Sequence, residues 1–132
     1  MSTAMATARH YQQAQVVTAD RGRLLMLMYE GALRFLATAE TALQGGELER
    51  FAIALGRAEA VIAELMHTLD FQNGGEIAKN LERLYRFMLD HLIDANLHKS
   101  SHHVAQVARI LEIIAGAYRQ VIEGNAQSVD AA

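Results

Sequence analysis

The chain has 132 residues, enough for one domain with its own core, and 52% of them are hydrophobic against 20% charged, which excludes a disordered polypeptide. A formal net charge of −3 lacks the basic surplus needed to neutralise nucleic-acid phosphates or to hold an anionic membrane surface. Cysteine is absent, so disulfides, thiolate metal sites and cysteine nucleophiles are excluded, and the absence of proline favours long helices.

Residues 1–10 carry no apolar segment of the kind a signal peptide needs, and the densest apolar run, residues 24–29, is far short of the ~20 residues of a membrane span. The expectation is a soluble, cytoplasmic protein with no membrane insertion. Residues 1–19 read as a short N-terminal arm, or an extra helix packed on the rest of the domain. The arm meets the apolar part of the chain at Thr18-Ala19-Asp20. There the Asp20 carboxylate is placed to accept from the free N–H groups that open a helix.

Beyond that join, Gly45-Gly46, Asn73-Gly74-Gly75 and Ser100-Ser101 are the strongest breaks. They divide one domain, residues 1–132, into helices at about 20–44, 47–70, 76–98 and 101–124. Connections this short make neighbouring helices antiparallel, and the expected fold is an all-α, antiparallel four-helix bundle.

Rotation by about 100° per residue gives each helix an apolar face. The first groups Met28, Ala32, Phe35, Leu36, Ala39 and Leu43. The second groups Leu48, Phe51, Leu55, Ala58, Ile62, Leu65, Met66 and Leu69. In the third, Ile77, Ala78, Leu81, Leu84, Tyr85, Met88, Leu89, Leu92 and Ala95 fill an arc of roughly 140°. The fourth uses Val104, Val107, Leu111, Ile114, Tyr118, Val121 and Ile122. Six apolar residues fall outside these faces: Met26, Leu27, Leu33, Phe87, Ile93 and Ile113. Such a surplus suggests a contact surface, for a client segment or for a second copy in a homodimer.

Four-helix bundles also house di-iron sites, which take Glu-x-x-His from two helices and a Glu from each of two others. The chain has one match, Glu64 to His67, and both residues point about 120° away from the apolar stripe of their helix. His91, Asp94 and His98 share a face at i, i+3 and i+7, with His102-His103 just beyond, a spacing that could hold a borrowed metal ion but is read as a solvated polar face. Gly74-Gly75 has no following Lys-Ser/Thr, so it is a turn and not a phosphate loop. The reading is of a binding protein, with no catalytic residue, no cofactor and no resident metal, that holds an amphipathic partner segment in surface grooves.

Tyr11-Gln12-Gln13, Val17-Thr18-Ala19, "LMLMYEGALRFL" (25–36) and "LDFQNGGEIAKNLERLYRFMLDHLIDAN" (69–96) together resemble the flagellar secretion chaperone family, FliS, over residues 10–122. The chain departs from the family pattern at Asp20-Arg21, where Ser-Pro is frequent, and at Tyr118, where many members carry tryptophan. The resemblance implies a cytoplasmic export chaperone that binds the disordered C-terminal region of flagellin. It would prevent premature polymerisation and assist export through the flagellar type III apparatus. It also implies an export-gate partner, leaves room for a co-chaperone, and makes the arm a lid that moves when flagellin binds. The contact residues it points to are Tyr11, Gln12 and Gln13 on the arm; the candidate contacts on the bundle are Met26, Leu27, Tyr29 and Leu33 on the first helix, and Ile77, Leu84, Phe87 and Met88 on the third. Asn80 and Asn96 would hydrogen-bond the partner backbone or cap within the fold. The alternative reading is a helical adaptor or regulator for a different amphipathic segment.

Overall fold

The computed structural model describes the backbone of residues 2–131 and the side chains of residues 20–124. Four helices follow one another, α1 (Ser2–Gln44), α2 (Leu48–His67), α3 (Phe71–His98) and α4 (Ser101–Ala131), and no strand occurs among the described residues. α1 packs against α2 and α4, and α3 packs against the same two helices, while the diagonal pairs do not meet along their backbones. This is the four-helix bundle that the apolar periodicity predicts.

The three connections are built by different local chemistry. After α1 the Glu47 N–H reaches back to the Ala42 carbonyl at 2.8 Å and Gly46 takes φ +73°, so a glycine at the left-handed position closes the helix. Before α3 the Asp70 side chain accepts from the backbone N–H groups of Gln72 and Asn73, both at 3.1 Å. These bonds, the Asn73 backbone N–H foremost, hold the Asp70 carboxyl below its ordinary pKa. Between α3 and α4, Lys99 adopts the left-handed conformation at φ 52° and the Ser100 Oγ accepts from the His103 N–H at 3.2 Å, which opens α4.

Three boundaries differ from the periodicity reading. α1 runs from Ser2 rather than from residue 20, so Asp20 lies inside a helix and caps nothing. α2 ends at His67 and α3 starts at Phe71, ahead of the two glycines, because the Asp70 cap starts a helix before Asn73-Gly74-Gly75 is reached. Gly75, at φ 50° and ψ −123°, then kinks α3 instead of separating two helices.

The core draws on all four helices: Tyr29, Ala32, Leu36 and Ala39; Phe51, Leu55, Ala58, Ile62 and Leu65; Tyr85, Met88, Leu92 and Ala95; Val104, Val107 and Leu111. Each Leu, Ile or Phe seated there contributes about 1.5–3 kcal/mol relative to exposure. Met26, which lies outside the predicted face of its helix, is buried in this core, and Leu33 is half-buried against it. Ile77, Leu48 and Val121 lie on predicted inner faces yet are exposed. Leu48 opens α2, and Ile77 stands just past the Gly75 kink, so each sits where a helix begins and a neighbour covers it poorly.

Candidate protein-binding surface

Inside the bundle, polarity is confined to tyrosine. Among the described residues no charged or amide side chain is buried. The hydroxyls of Tyr29 on α1 and Tyr85 on α3 hydrogen-bond each other across the diagonal of the bundle. Tyr118 of α4 packs its ring 5.6 Å from that of Tyr29. Burial, which penalises the phenolate, pushes Tyr85 up to about 12 and raises Tyr29 further still. Tyr29 and Met88, two expected contact residues, are both at 0% exposure, so they shape the interior and present nothing to a partner in this packing. Met26 is withheld from the surface in the same way.

On its outer side α3 carries an apolar flank. Ile77, Leu84 and Phe87 are 71%, 39% and 49% exposed and recur at helical spacing along one edge of α3. That edge is the one turned to α4, because Phe87 stacks on His91 with ring centroids 4.9 Å apart, and His91 bonds Gln106 and packs on His103 of α4. On α4 the edge beyond Gln106 carries half-buried Ile110, then Ile113 at 66% and Val121 at 58% exposure. α3 and α4 are packed neighbours, and the exposed apolar residues of these two edges make up the candidate strip.

The remaining expected contacts scatter. Leu27 is 61% exposed on α1, the helix diagonal to α3. The side-chain carbonyl of Asn80 accepts from Arg83 at 3.4 Å and that of Asn96 from Lys99 at 3.0 Å, which engages both within α3 and its cap. The side chains of Tyr11, Gln12 and Gln13 lie outside the described residues. Ile110 and Val121 were not among the expected contacts, since a wheel drawn for α4 alone assigns them to its face or passes over them. An open surface depression lies at the α1–α2 turn, around Thr38, Thr41, Glu47 and Arg50.

Glu64 and His67 are not buried, so among the described residues no carboxylate–histidine set faces the bundle interior. No described helix is long and apolar enough to cross a membrane. An all-helical core with exposed apolar residues along α3 and α4 defines a helical-bundle protein. The family model described as Flagellar protein FliS matches residues 3–125, and the chain belongs to the FliS family. It is similar to the flagellar secretion chaperone FliSB of Pseudomonas aeruginosa, 36% identical over 118 residues, which cover 86% of this chain and 94% of that protein. The flagellar secretion chaperones FliS of Campylobacter jejuni and Salmonella typhimurium are 32% and 33% identical, over 84% and 83% of this chain and 87% and 82% of their own lengths.

Proposed function

We propose that this chain is a cytoplasmic export chaperone for flagellin, without catalytic activity. It binds the C-terminal region of flagellin, blocks premature polymerisation and keeps the subunit fit for export by the flagellar type III apparatus. The observation that supports this reading is the exposed strip of Ile77, Leu84, Phe87, Ile113 and Val121 over the α3–α4 seam of a chain in this family. A disordered client that folds on binding buries ~1,000–3,000 Å² and loses ~2–5 kcal/mol to ordering. Each Leu or Ile it seats returns roughly 1.5–3 kcal/mol, so a handful of apolar contacts suffices.

In the same proposal the N-terminal segment carrying Tyr11, Gln12 and Gln13 acts as the lid and presents the complex to the export gate. A co-chaperone would use surface left free by flagellin, and a homodimer would compete for the same strip. The test is flagellin polymerisation followed by sedimentation. An equimolar amount of this chain is expected to keep flagellin in the supernatant, and Phe87→Glu is expected to release it to the pellet. Undiminished polymerisation in the presence of the wild-type chain would contradict the proposal and favour an adaptor for a different amphipathic segment.

A further inference from the structure

At the joined ends of α3 and α4 the chain gathers metal-binding side chains that the client strip does not need. His91 and Asp94 stand one turn apart on α3, and His103 enters from the first turn of α4. One donor atom from each lies within 4.8 Å of the others. The spacing along α3 groups His98 with the first two, but in three dimensions His103 takes that place.

We propose that His91, Asp94 and His103 form a site for a first-row divalent cation of the zinc class. Two imidazoles and a carboxylate are the ligand types such ions take, and three protein ligands leave a fourth position for water. The second observation concerns the far side of each imidazole. The His91 Nε2 bonds the Gln106 Oε1, and in the tautomer that donates there Nδ1 is the nitrogen left to ligate. The His103 Nδ1 lies 2.7 Å from the Ser100 Oγ, and donating to that oxygen leaves Nε2 as the metal ligand. An oxygen that fixes the tautomer and orientation of each imidazole is the usual support behind a metal-ligating histidine. The rings are further held by packing, Phe87 on His91 at 4.9 Å and His91 on His103 at 4.2 Å. An ion about 2.1 Å from each ligand needs donors roughly 3.4 Å apart. Asp94 is exposed, and rotation of its carboxylate inward would supply the difference. Bound there, the cation ties α3 to α4 beside the strip.

The site is tested on the full chain alone, with no client present, so its outcome is separate from that of the chaperone reading. Zinc titrated in chelator-free buffer is expected to bind one ion per chain and to raise the melting temperature with concentration, and cobalt(II) is expected to give the visible absorption of a low-coordinate site. Asp94→Asn and His103→Ala are each expected to weaken binding by more than about tenfold, with helical circular dichroism retained. His98→Ala and His102→Ala are expected to leave it unchanged. Absence of saturable zinc binding at micromolar concentrations would overturn the proposal. So would unchanged binding in Asp94→Asn and His103→Ala, or an equal loss in His98→Ala.

Discussion

At the centre of the bundle Tyr29 and Tyr85 hydrogen-bond each other with only apolar side chains and the Tyr118 ring packed around them. Removing one hydroxyl leaves the other, buried, without its partner. Tyr85→Phe is therefore expected to destabilise the chain by about 1–3 kcal/mol in urea unfolding, as is Tyr29→Phe. The double variant should cost less than the sum, because no orphaned hydroxyl remains. The same pair sets an alkaline limit. Burial raises Tyr85 from its ordinary 10.0 to about 12 and shifts Tyr29 in the same direction, so the folded chain holds these protons more tightly than the unfolded one. The stabilisation is complete below pH 10 and is lost as pH rises towards 12, at a slope of about 1.4 kcal/mol per pH unit for each phenol. A denaturant midpoint measured from pH 8 to pH 12 should fall in the upper half of that range, and fall less in the double phenylalanine variant.

α3 shows how one element divides its work. Its inner face carries Tyr85, Met88, Leu92 and Ala95, and its α4-side edge carries Ile77, Leu84 and Phe87. Leu92→Ala is expected to cost about 2–5 kcal/mol, since Leu92 is fully buried. Phe87→Glu is expected to stay within about 0.5 kcal/mol in the same assay while removing client binding. The inner face was legible because 3.6-residue periodicity depends on one helix only. The edge was half legible: Phe87 and Ile113 stood out as apolar residues off their faces. Ile77 and Leu84 were assigned inward, because a wheel gives the direction of a side chain but not whether a neighbouring helix reaches that level. For the same reason Met26 and Tyr29, read as contacts, prove to be core. Pairings between helices were not readable at all, which is why Tyr29–Tyr85 and the replacement of His98 by His103 emerge only in three dimensions. The start of α3 was readable in retrospect. Asp70 followed three residues later by Asn73 is a cap, yet the two glycines drew the boundary past it.

For the molecule as a whole, each helix packs against two neighbours, and exposed apolar residues remain along α3 and α4. The order of helices and the apolar character of the core were legible from composition and periodicity. The extent of α1 was not, since the glutamine-rich start shows no apolar stripe in the sequence, yet α1 begins at Ser2. The described core contacts begin at Leu25, so deleting residues 1–17 is expected to keep the helical circular dichroism and a cooperative melt. Collapse of that signal would place the N-terminal segment in the structural core instead of in the role of lid. The most direct measurement is calorimetric titration of the purified chain with a peptide spanning the C-terminal region of flagellin. Saturable binding at micromolar concentrations or tighter, lost in Phe87→Glu while the bundle stays folded, is the predicted result. No heat of binding, or binding indifferent to Phe87→Glu, would contradict the assignment of the α3–α4 strip to flagellin.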